Sequence, residues 1–122
     1  MKEVLPILII AVFIVVIMYV KTMPRLSAEA VRERLKQGAL VIDVRTATEY
    51  QAGHLANAVN IPLDEVKVDL PRRVQDKSTV LLLHCRSGYR SGIAEKELRS
   101  LGYINTFNIG SFENAQKIIS SE

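Results

Sequence analysis

The sequence predicts an α/β fold: a small parallel sheet flanked by helices, preceded by one transmembrane helix. Three observations predict it. From Leu26 onward strand-like runs alternate with helix-like ones, the order that builds a parallel sheet covered on both faces. The runs Ala39–Val44 and Thr79–His84 are nearly continuous in apolar residues, as strands buried on both sides are. Ahead of them, Val4–Val20 is an uncharged, apolar stretch of 17 residues.

The elements follow in chain order. Ser27 is placed to cap a helix, with Glu29 in its first turn and Ala28, Val31 and Leu35 on one face, and Gly38 ends it. Ala39–Val44 is a strand interrupted by Asp43, Thr46–Gln51 a short helix, and Val59–Ile61 a second short strand. Pro62 opens a helix toward Leu70, which Pro71 is expected to stop. Thr79–His84 is the strongest strand and runs directly into Cys85. Ile93, Ala94, Leu98 and Leu101 form the apolar face of a helix closed by Gly102. Tyr103–Ile109 is strand-like, and Phe112–Ser120 is a last helix.

As a helix, residues 4–20 span about 26 Å at about 1.5 Å per residue, the short end of what crosses a bilayer core of about 30 Å. Extension to Met23, with Lys21 reaching back to the interface, closes the gap. Pro6 sits in the first turn, where its missing N–H costs little, and Tyr19 stands where an interfacial aromatic would. No small-residue cleavage site follows the run. The expected organisation is therefore a membrane anchor and linker over residues 1–25, with Lys21–Leu26 and its Pro24 as the linker, and a domain over 26–122. Lys21, Arg25, Arg32, Arg34 and Lys36 on the C-terminal side place that domain in the cytoplasm by the positive-inside rule.

Charge narrows the partners. Three of the 16 basic and one of the 13 acidic side chains lie before residue 26, which leaves 13 and 12 in the domain, without the basic excess of a nucleic-acid binder. A single cysteine excludes an internal disulfide, and one Cys with two separated histidines, His54 and His84, makes a poor metal site.

The chemistry concentrates in His84-Cys85-Arg86-Ser87-Gly88-Tyr89-Arg90-Ser91, between the strongest strand and a helix. Loops at the carboxyl ends of parallel strands are where open α/β sheets bind ligands. Successive N–H groups of such a loop form a nest for an anion, and the helix N-terminus adds positive potential. A thiol held there ionises more readily than a free one. His84 is adjacent on a strand and so faces the other side of the sheet, which argues for packing and against a general base. Asp43 at a buried strand end needs a partner, and Arg45 is the near candidate.

The stretch from Asp43 to Pro62 (DVRTATEYQAGHLANAVNIP) is similar to the D-V-R-x-x-x-E-[FY]-x-x-G-H-I-x-G-A-x-N-[IL]-P signature of the rhodanese, or sulfurtransferase homology, family. The loop C-R-S-G-Y-R-S at 85–91 resembles the family's active-site loop C-R-S-G-x-R-S. The resemblance implies that Cys85 takes a sulfane sulfur from thiosulfate or a persulfide donor and passes it to a thiol, cyanide or a protein acceptor. It implies substrate binding by the loop residues Arg86, Ser87, Gly88, Tyr89, Arg90 and Ser91, with Asp43, Arg45, Glu49 and His54 as structural support. No metal or organic cofactor is implied.

The sequence departs from the pattern at Asn57, where the family commonly has Gly, and at Tyr89, often a smaller polar residue. The closing Gly-Gly segment with its Trp is reduced to Gly110-Ser111-Phe112. Three alternatives stand beside an enzyme: a membrane-tethered persulfide relay, a non-catalytic binding module, and a phosphatase. Loop length opposes the last, because four residues separate Cys85 from Arg90 where phosphatases use five.

Overall fold

A computed structural model describes residues 3–22 and 26–120. The elements run α1 (Val4–Thr22), α2 (Ala28–Lys36), β1 (Leu40–Asp43), α3 (Ala47–Ala52), β2 (Val59–Asn60), a 3-10 turn (Leu63–Glu65), α4 (Val66–Arg73), β3 (Leu81–Cys85), α5 (Tyr89–Ser100), β4 (Thr106–Ser111) and α6 (Phe112–Ser120). The four strands form one sheet in the order β2-β1-β3-β4, and every pairing is parallel. The α/β fold with a small parallel sheet between helices is therefore as expected.

Alternation along β3 divides the core. Leu81, Leu83 and Cys85 pack with Ile42, Val66, Leu70, Ala94 and Leu98, beneath α4 and α5. Leu82 packs on the other face with Val31, Ile109, Ala115 and Ile118, beneath α2 and α6. All five β3 residues are buried, which is why the run reads as continuous apolar sequence up to its last two residues.

The chain leaves β1 toward one edge of the sheet and reaches β3 and β4 on the other. The loops after β1 and β3 thus diverge, and a crevice opens at that switch point. Asp43 pairs with His84 in the register, so Val44 and Arg45 lie alongside Cys85.

Local chemistry sets the helix ends. The Ser27 hydroxyl accepts from the Ala30 N–H at 3.1 Å. Thr46 and Glu49 form a reciprocal capping box on α3. Asn57 has φ 67° and holds a left-handed position where a Gly would be expected, which Asn tolerates better than most residues.

Two expectations are corrected. Pro71 does not stop the fourth helix, which runs to Arg73 with the proline inside it. The N–H that Pro71 lacks would have bonded the carbonyl of Lys67, an exposed residue on the solvent side of a short helix, where the loss is least costly. The second correction concerns the transmembrane anchor. Among the described residues, no helix is long and apolar enough to cross a membrane. α1 spans Val4–Thr22, and its 19 residues measure about 28 Å against a core of about 30 Å. The single-pass membrane location is withdrawn, and the cytoplasmic orientation rested on it. The linker centred on Pro24 and the expected role of the Lys21 side chain lie outside the described residues.

Candidate active site

Cys85 ends β3 with no solvent exposure. The chain then turns through Arg86 and Ser87 to Gly88, which takes a left-handed conformation (φ 95°) as the cap of α5. A side chain there would be strained; glycine is not. This turn aims the Gly88 N–H at Cys85 Sγ, 3.0 Å away, and the first turn of α5 brings the Ser91 hydroxyl to 3.4 Å.

The sulfur feels two opposed influences. Burial, the largest, pushes the thiol's pKa up. The Ser91 hydroxyl and the N–H groups of Ser91, Ser87 and Gly88 pull it down, and together they win, so the pKa lies below its ordinary value of 9.0. The loop thus favours negative charge on a sulfur shut away from water.

The two loop arginines have different surroundings. Arg90 is held in a two-pronged pair by Glu49, Nη1 to Oε1 at 2.6 Å and Nη2 to Oε2 at 3.0 Å. Glu49 Oε1 also accepts from the Thr46 N–H at 3.2 Å, so one carboxylate ties the start of α3 to the start of α5. Its pKa falls to about 2, chiefly through the hydrogen bond from Arg90. Arg86 is exposed, makes no hydrogen bond or ion pair among the described residues, and lines an open cleft of about 420 Å³ with Arg45, Glu49 and Phe112. On the other side of Arg90 lies a second cleft of about 530 Å³, walled by Val44, Pro62, Leu63 and Lys67. Tyr89 is 75% exposed at the loop's outer rim.

The residues of the first motif gather around β1. Asp43 is fully buried and takes a paired contact from Arg45, with Nε at 3.0 Å and Nη2 at 2.7 Å. Arg45 also donates to the Gly53 carbonyl at 2.8 Å and lies 4.6 Å from the Phe112 ring centre. His54 is exposed and stacks on Tyr50 with ring centroids 3.8 Å apart, away from the sulfur. His84 is fully buried on the opposite face from Cys85, 3.9 Å from Asp43 Oδ2, with neither ring nitrogen hydrogen-bonded among the described residues. Its pKa is lowered, first by burial and then by Arg45, against a smaller upward pull from Asp43 that acts between them in size.

Sequence reasoning missed Asn108. Its Oδ1 accepts from Ser91 Oγ at 2.7 Å, and its Nδ2 donates to the Gly88 carbonyl at 3.0 Å. A polar residue between apolar Phe107 and Ile109, two before a glycine, was the available signal.

A profile of the rhodanese-like domain matches residues 27–117. The chain belongs to the rhodanese-like family. Its rhodanese-like domain is 38% identical over 73 residues to the thiosulfate sulfurtransferase PspE of Escherichia coli, covering 60% of this chain and 70% of that protein. An E. coli rhodanese solved with anions superposes with a TM-score of 0.61 at 36% identity, covering 63% of this chain and 91% of that one. The human single-domain sulfurtransferase TSTD1 superposes with a TM-score of 0.65 at 28% identity, covering 81% and 97%. Relatives of other kinds also match: the chain is 34% identical over 89 residues to the tRNA uridine(34) hydroxylase of Hamiltonella defensa, and covers only 25% of it.

Proposed function

We propose that this chain is a rhodanese-type sulfurtransferase whose domain comprises residues 26–122 and whose nucleophile is Cys85. The observation that carries the reading is the buried Cys85 sulfur, with the Gly88 N–H at 3.0 Å and its ionisation favoured by the loop donors. The likeness to a thiosulfate sulfurtransferase supports it.

In the first step the Cys85 thiolate attacks the outer sulfur of thiosulfate. The sulfur–sulfur bond of the donor breaks, sulfite leaves with the bonding electron pair, and Cys85 carries a persulfide with its negative charge on the terminal sulfur. In the second step an acceptor, cyanide or a thiolate, attacks that terminal sulfur. The new bond forms as the Cys85 sulfur leaves with its pair, so the thiolate is restored and thiocyanate or an acceptor persulfide departs. Both steps are covalent catalysis by an activated thiolate. The loop N–H groups serve each anionic sulfur in turn. Arg86, which pairs with no carboxylate among the described residues, is the guanidinium we assign to the anionic donor. Arg90 holds the loop through Glu49, which engages both of its Nη groups, and its charge also faces Cys85.

Thiocyanate formation from thiosulfate and cyanide tests the reading. The wild-type chain is expected to turn over, and Cys85→Ser to lose all activity while staying folded. Turnover that survives in Cys85→Ser contradicts it. Stoichiometric sulfur uptake without turnover to any acceptor leaves the chain a carrier of persulfide.

A further inference from the structure

The donors around Cys85 are themselves held by a residue from a distant strand. β4 pairs Leu83 with Asn108 but His84 with Gly110, so Ile109 is an extra residue in the ladder. Register with Leu83 puts Asn108 on the sheet face that Cys85 occupies, under α5. Its amide orientation is fixed by its neighbours. Oδ1 accepts from the Gly110 N–H at 2.9 Å, and that group can only donate. Nδ2 donates to the Gly88 carbonyl at 3.0 Å, and that group can only accept. Space is cut to fit: a Cβ on Gly92 would stand 3.3 Å from Nδ2.

Ser91 has one hydroxyl proton and three acceptors in reach: Asn108 Oδ1 at 2.7 Å, the Gly88 carbonyl at 3.2 Å and Cys85 Sγ at 3.4 Å. A neutral thiol is a weak acceptor, so the shortest contact, to Asn108, takes the proton. A thiolate is a strong one. When the thiol proton leaves to solvent, the Ser91 hydroxyl turns from Oδ1 to sulfur. No proton passes between Ser91 and Asn108, and Oδ1 keeps its bond from Gly110.

We propose that Asn108 is a positioning residue for the Cys85 nucleophile. It anchors the Gly88 peptide, whose N–H points at the sulfur, and it fixes the position of Ser91 beside the sulfur. The proposal deepens the reading of Cys85 as the sulfur-accepting thiolate and rests on it.

The test is an ultraviolet thiolate titration of the full chain, with Cys85→Ser as the blank. Cys85 is the only cysteine, so the signal has one source. Asn108→Leu keeps the branched shape and removes all three hydrogen bonds of the amide. It is expected to move the thiolate midpoint upward and to cut the thiolate present at a fixed pH below that midpoint on the order of tenfold. An unmoved midpoint in folded Asn108→Leu overturns the proposal, since a purely structural role would change melting and leave the midpoint alone. If Asn108→Leu does not fold, Asn108→Ala, which removes the same contacts without the bulk, decides: a raised midpoint supports the proposal and an unmoved one overturns it. No sulfur donor enters the titration. A chain that titrates as described yet takes no sulfur from thiosulfate therefore fails the functional reading and not this one.

Discussion

Cys85 and His84 are neighbours on β3, equally shut from solvent, and they face opposite sides of the sheet. Burial opposes charge on both. Around Cys85 the chain supplies a hydroxyl and several N–H groups, and the thiol ionises more easily than usual in spite of burial. Around His84 the described residues supply the ring no hydrogen-bond partner, and burial holds its pKa below the usual value. The same contrast separates two ion pairs. Asp43–Arg45 is sealed beneath the His84 side, whereas Glu49–Arg90 is partly open to water beside the reactive loop. Burial alone therefore does not decide reactivity here; what decides it is which groups the backbone aims at the buried atom.

The largest expected effect breaks the sealed pair. Asp43→Ala leaves Arg45 buried without its carboxylate and is expected to cost about 3–5 kcal/mol of stability in denaturant unfolding. A loss below about 1 kcal/mol would mean that water reaches Arg45. On the reactive side, Arg86→Ala is expected to raise the KM for thiosulfate about tenfold, some 1.4 kcal/mol of binding, with melting unchanged because Arg86 has no partner among the described residues to strand. Arg90→Ala should instead lower both stability and kcat, since it also frees Glu49. Equal kinetic profiles for the two variants would erase the distinction between the arginines.

His84→Leu sharpens the contrast further. It replaces an imidazole with two unbonded ring nitrogens by an apolar side chain of similar size, and is expected to raise stability near neutral pH by about 1 kcal/mol. The pH dependence should change as well. Below 6.5 the unfolded chain takes a proton that folded His84 resists, so stability is full above that pH and falls as pH drops beneath it. His84→Leu removes that part of the acid sensitivity. The smallest effect belongs to Glu49. Its folded pKa is depressed to about 2, so its contribution is full above 4.5 and is lost as pH falls from there toward about 2. Because the pair is partly solvated, Glu49→Gln is expected to cost about 1 kcal/mol or less at neutral pH and to flatten the acid limb of the melting curve.

What was legible in the sequence follows from how far apart the interacting residues lie. The loop at 85–91 is consecutive, so its place between a strand and a helix start is read directly. The buried strands are legible because their apolar runs are unbroken. Partners joined only by the fold are not: Glu49 meets Arg90 across 41 positions, and Asn108 meets Ser91 across 17. The bond that holds Arg90 to Glu49 was therefore not foreseen. Two local signals also misled. Pro71 was read as a helix stop, although a proline whose missing bond faces solvent is tolerated in a short helix. The apolar run at residues 4–20 was read as a span from its composition, and its length lies at the short end of what crosses a bilayer.

The central claim is that Cys85 is a thiolate poised to hold a sulfane sulfur. Intact-mass measurement of the full chain after incubation with thiosulfate tests it most directly, beside Cys85→Ser. The account predicts a gain of one sulfur atom that cyanide or a reductant removes and that Cys85→Ser never shows. A folded wild-type chain that gains no sulfur from thiosulfate or from a persulfide donor, or a gain that persists in Cys85→Ser, would contradict it.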